Sequence, residues 1–210
     1  MEKNDIKTPY IAFVLEHHKR PASVHTFMKS INAEEKEFYQ HYSSFEALER
    51  SIWADSFQQT IDKIRQESVY EGYSVREKLL AFYFTLIEQL KAVRSFAQYT
   101  HQQADKELAW LKGEGLLKES EKIFKEYVSQ LITEGVYTEE IADRMFLTDR
   151  YADALWLETG FIVRFWLKDR SDNFEKTDAA IEKAVNLTLD LLGKNIFDAS
   201  FDFIKFLLSK

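Results

Sequence analysis

Apolar residues recur three and four positions apart along most of the chain, the spacing that gathers them on one face of a helix, and short polar or glycine-bearing breaks separate the runs. Thr8 and Pro9 form a cap and first-turn pair that predicts a helix to about residue 18, with Ile11, Val14 and Leu15 on one face. Ser23 caps a short second helix to about residue 30, Asn32 takes the left-handed turn, and a third helix is expected over residues 33–42. Ser43 with Glu46 forms a capping box for a long fourth helix reaching about residue 70, where Gly72 stops it. Ser74 with Glu77 opens a fifth over 75–91. Inside it LLAFYFTLI is apolar all round, which marks a helix buried in a bundle.

Periodicity weakens over 93–111 and breaks at Gly113 and Gly115. Residues 116–132 are amphipathic and closed by Gly135, and 136–146 read as a connector with one helical turn. Helices over 147–168 and 174–192 are joined by the short polar turn DRSDN, which makes them antiparallel neighbours, and a last helix is expected over 197–208. No alternating strand pattern competes, so the fold class is all-α.

Composition strengthens this reading. The 17 Phe, 10 Tyr and 4 Trp supply an aromatic core, and both prolines lie within the first 21 residues, so no ring breaks the later helices. The absence of cysteine excludes disulfides, thiolate metal sites and cysteine catalysis. MEKNDIKTPY is charged with no apolar signal core behind it, and no run approaches the roughly 20 apolar residues of a membrane span. The expectation is a cytoplasmic protein with no stable membrane insertion. A net charge of -7 argues against coating nucleic acid by bulk electrostatics. His17, His18, His25 and His41 do not stand at ligand spacing with carboxylates, and no phosphate loop, nucleophile elbow or HExxH motif occurs. No catalytic residue, metal or cofactor is therefore expected.

The stretch SVHTFMKSINAEEKEFYQHYSSFEAL resembles the helix-turn-helix of TetR-family transcriptional regulators without a gap. Val24, Phe27 and Met28 stand at the family's apolar positions, Asn32 at its turn glycine, Phe38 and Tyr39 at its aromatic pair, and Ser44 to Leu48 at the start of its fourth helix. The resemblance implies a small three-helix DNA-binding-like domain, residues 1–44, and a larger helical ligand-binding and dimerisation domain, 45–210. It also implies that Ser23, Lys29, Lys36, Tyr39, Gln40 and His41 face operator DNA. The departures fall where phosphates would lie: Glu34, Glu35 and Glu37 surround Lys36, and Phe45 replaces a lysine. Residues 1–44 carry six basic and six acidic side chains. Affinity for DNA rests largely on cations that neutralise phosphates, so generic duplex should bind weakly. A TetR-fold protein that has lost DNA binding and binds or presents a lipid is the alternative.

In the larger domain the resemblance places Phe82, Phe84, Ile87, Phe124, Tyr127, Trp156, Thr159, Gly160 and Val163 on the helices around a ligand cavity. Large rings ordinarily fill a core, yet Thr159 and Gly160 interrupt the bulky run ADALWLETGFIVRFWL and could leave room for a hydrophobic small molecule or lipid. The two penultimate helices carry more apolar surface than one packing face uses. Leu155, Ile162 and Trp166 stand beside Trp156, Val163 and Leu167 on the first. Ile181, Val185 and Leu192 stand beside Ala180, Ala184, Leu187 and Leu191 on the second. The surplus predicts a two-fold homodimer, the alternative being that the last helix, with Phe197, Phe201, Ile204 and Leu208 on one face, covers that stripe within one chain.

Overall fold

A computed structural model describes residues 1–103, 115–144, 148 and 150–193. Nine α-helices occur among these residues: α1 Lys3–His17, α2 Val24–Ser30, α3 Glu35–Tyr39, α4 Phe45–Arg65, α5 Val75–Lys91, α6 Arg94–Gln103, α7 Lys118–Tyr137, α8 Tyr151–Lys168 and α9 Glu175–Leu192. The fold is all-α, as the periodicity predicts.

Boundaries set by local chemistry fall where the sequence puts them. Ser23 Oγ accepts the Thr26 amide at 3.1 Å, and Asn32 sits at φ 56°. The Ser74–Glu77 box closes with the Ser74 amide donating to Glu77 Oε2 at 2.8 Å and the Glu77 amide donating to Ser74 Oγ at 3.3 Å. Other boundaries move. The first helix begins well before Thr8, with the Glu2 amide donating to Asp5 Oδ2 at 2.8 Å, and Pro9 lies inside it. Burial of Ile6 and Tyr10 rewards the extra turn. The third helix shrinks to five residues. The fourth is capped by Ser44 rather than Ser43, through a 3.2 Å bond from the Ala47 amide, and it ends at Arg65 before a 3-10 turn, Tyr70–Gly72. Gly135 does not close α7 but lies within it, with Ile141 pressed so near that a Cβ there would sit 2.8 Å from its side chain. The expected helix over 197–208 and the end of the one over 93–111 lie outside the described residues.

Packing divides the chain into two compact units, Met1–Gln59 with Glu88–Ile123, and Thr60–Ile87 with Phe124–Lys210. The first has a core of Ile6, Tyr10, Val14, Phe27, Met28 and Phe38. Phe45 stands against three of its rings, stacked on Tyr10 at 5.3 Å and edge-on to Phe27 at 5.9 Å and Phe38 at 5.5 Å. The residue that replaces a phosphate-facing lysine is thus a core contact. The second unit packs α8 against α9. Asp169 fastens the turn between them: its Oδ2 accepts from the Thr177 amide at 2.9 Å and hydroxyl at 2.6 Å, and its Oδ1 from the Ser171 amide at 2.8 Å.

Candidate functional site

In the first unit α2, the Asn32 turn and α3 form a helix-turn-helix whose inner side is Phe27, Met28 and Phe38. Ser23, Lys29, Lys36, Tyr39 and Gln40 are exposed, Tyr39 at 54 %. His41 is half-buried, with Nε2 2.9 Å from the Met1 carbonyl. The three glutamates are occupied. Glu37 Oε2 accepts the Glu34 amide at 2.9 Å, which ties off the start of α3. Glu34 lies 2.6 Å from Lys36 Nζ, and Glu35 lies 3.3 Å from His25 Nδ1. Carboxylates near a helix N-terminus also face the positive end of its dipole, so their local charge is partly answered within the protein.

Sequence reasoning missed the network that holds this helix-turn-helix in place. Glu49 on α4 is only 2 % exposed and accepts from Tyr10 at 2.7 Å and from Arg20 Nε and Nη2 at 3.0 and 2.6 Å. Arg20 also reaches Glu46, and buried Lys7 pairs with Asp55. Burial, then the charge and hydrogen bond of Glu49, push the Tyr10 phenol up, so it stays protonated as a donor. The hydrogen bond from Arg20 to Glu49 raises the guanidinium further. These contacts join α1 and the segment before α2 to α4. No spacing rule reveals them, because the partners are 29 and 39 residues apart.

In the second unit the expected cavity residues form a chain of rings. Phe82 lies 5.1 Å from Phe124 and 5.4 Å from Tyr127, and Phe124 lies 5.8 Å from Trp156. Tyr83 and Thr159 hydroxyls meet at 3.1 Å, and those of Tyr70 and Tyr127 at 3.0 Å. Ile87, Gly160 and Val163 are buried, as are Thr159 and Trp156, and Phe84 is half-buried. Burial pushes the Tyr83 and Tyr127 phenols up, so both remain neutral.

A groove of about 750 Å³ runs between α8 and α9. The surplus apolar face of α8 is not the expected one. Leu155, Trp156, Ile162, Val163, Trp166 and Leu167 are all buried, because α8 packs inward on two sides at once. The outward face is Ala154, Leu157, Phe161 and Phe165, with Leu157 and Phe161 about half exposed. On α9, Ala180, Ala184 and Leu187 line the groove, with Leu187 62 % exposed. The groove also holds Glu158, 8 % exposed, neither of whose carboxylate oxygens has a well-formed hydrogen bond in the structure. Burial pushes its carboxyl up to about 7, with Thr188 pulling slightly the other way. The one charged residue within the run LWLETGFIV was the available sequence signal for it.

A helix-turn-helix, a helical unit packed with rings and the pair α8 and α9 are the arrangement of a helical transcription regulator. Residues 78–207 match the family model for the tetracyclin repressor-like C-terminal domain, more than half of the chain, and the protein belongs to that family. Among solved structures it is similar to a protein from Shewanella sp. PV-4 provisionally assigned to the tetR family of transcription regulators. That match has 12 % identity and a TM-score of 0.61, covering 93 % of this chain and 100 % of the other. It is also similar to a protein of unknown function from Rhodococcus sp. RHA1, with 11 % identity and a TM-score of 0.58, covering 91 % and 95 %. At such identities the likeness shows the fold. A search of curated proteins finds no match.

Proposed function

We propose that the protein is a ligand-responsive transcriptional regulator of the cytoplasm that acts by binding rather than catalysis. Residues 1–44 serve as a DNA-reading head, and 45–210 serve to pair two chains and to hold a hydrophobic small molecule or lipid. The observation that carries the reading is the helix-turn-helix itself. Its inner side is a continuous apolar core, its outer side presents Ser23, Lys29, Lys36, Tyr39 and Gln40, and its glutamates are engaged by the helix start and by neighbouring side chains. With few free cations, recognition would rest on direct contacts to base edges more than on phosphates, which favours a specific site over bulk affinity. An effector would enter the second unit by parting the rings of Phe124, Tyr127 and Trp156 near Thr159 and Gly160, and the change would alter the spacing of the paired heads.

Selection of duplexes from a random pool tests this reading. A two-fold symmetric sequence should be enriched, and Tyr39→Ala should weaken its binding by about 1–3 kcal/mol without loss of helix content. A pool that yields no enriched sequence, with a lipid seen on the protein by native mass spectrometry, would overturn the DNA-reading role in favour of a lipid binder.

A further inference from the structure

The α8–α9 groove combines a shape and a chemistry that the proposed homodimer does not by itself require. Eight of its twelve lining residues are Ala, Leu or Phe. Projecting Leu157, Phe161 and Leu187 stand beside small Ala180 and Ala184, so the same surface offers both knobs and the space to receive them. A face with both features suits pairing with its own two-fold copy. Glu158 sits within it, on the side of α8 that a second copy would cover.

We propose that Glu158 makes the pairing of two copies of this chain across the α8–α9 groove proton-dependent: the dimer closes over the neutral carboxyl and is weakened by the ionised one. This rests on the homodimer reading given above. The groups that face Glu158 from the packed elements are few. Lys176, Lys183 and Thr188 line the groove from α9, and Tyr83 of α5 lies close enough to interact with it through space. Tyr83 spends its hydroxyl on Thr159 and stays neutral. Both lysines are exposed, and neither forms an ion pair with Glu158 among the described residues. With no cation seated beside it, the carboxylate already meets a desolvation penalty in a single chain, and an apolar copy laid over the groove would remove the remaining water. The neutral form escapes that penalty.

Sedimentation equilibrium of the full chain from pH 5.5 to 9 tests the proposal. If each dimer must hold two protonated carboxyls with single-chain midpoints near 7, the dissociation constant should rise about a hundredfold between pH 6 and pH 8. Glu158→Gln keeps the shape and cannot ionise, so its dimer should remain tight with less than about a threefold change over the same range. A wild-type dimer independent of pH would overturn the proposal and leave the dimer standing. A dimer that tightens as pH rises, and is weakened by Glu158→Gln, would overturn it in favour of a partner's lysine meeting the carboxylate. A monomer at every pH and at tens of micromolar would overturn the homodimer reading and the proposal together. Circular dichroism of Glu158→Gln verifies that the folded chain is compared throughout.

Discussion

Glu37 and Glu35 sit two positions apart on α3 and have opposite worth. Glu37 closes the start of α3 by accepting the Glu34 amide, so Glu37→Ala should lower stability by about 1 kcal/mol in urea unfolding. Glu35 is exposed enough to answer only to His25, and Glu35→Gln should leave stability within about 0.5 kcal/mol while raising generic duplex affinity a few-fold at low salt. Asp169 gives a pH signature. Burial would raise its carboxyl, but the bonds from Thr177 and Ser171 outweigh it and hold the group at about 2. A depressed carboxyl contributes stability that is present above its unfolded value near 4 and is lost as pH falls toward 2. Asp169→Ala should therefore destabilise at pH 7, by about 1–3 kcal/mol for the stranded Thr177 amide, and the difference from wild type should shrink in acid unfolding curves near pH 2.

Within α7 a glycine ordinarily costs helix stability, and Gly135→Ala would gain about 1 kcal/mol on propensity alone. Here the added Cβ would stand 2.8 Å from Ile141 and 3.2 Å from Val75, so the variant should instead lose about 1–2 kcal/mol. Ile141→Ala in the same chain should relieve part of that loss, and a double-mutant cycle by thermal unfolding would read the coupling. This glycine also marks what the sequence could convey. Ser23, Asn32 and the Ser74–Glu77 box were legible because each cap or turn is settled within four residues. The five-residue length of α3 and the internal place of Gly135 were not, because tertiary neighbours decide them. In the candidate site, the apolar inner side of the helix-turn-helix and Ala184 of α9 could be read from spacing. The burial of both α8 stripes and the pairing of Arg20 with Glu49 depend on partners far along the chain.

A chain that buries so much of α8 still leaves Leu157, Phe161, Leu187 and Leu191 half exposed or more, and exposed aliphatic and aromatic groups concentrated on two antiparallel helices favour association. Light scattering at micromolar concentration should report a dimer. Ala184→Arg, which places a long charged side chain in the groove, should convert it to a monomer with unchanged helix content. A dimer that survives the substitution would move the interface elsewhere.

The ion pairs of the first unit fall into two populations. Lys36 with Glu34 and the contact of His25 with Glu35 lie in solvent, where about 0.15 M salt screens charges over roughly 8 Å, whereas Glu49 and Lys7 are shielded from that screening. Rising ionic strength would therefore loosen the outer pairs and any phosphate contact together while leaving α1, Arg20 and α4 clasped. Under the proposed role, salt would govern how tightly the head adheres and not what shape it has, so the protein could be rinsed from one site and returned to another already formed.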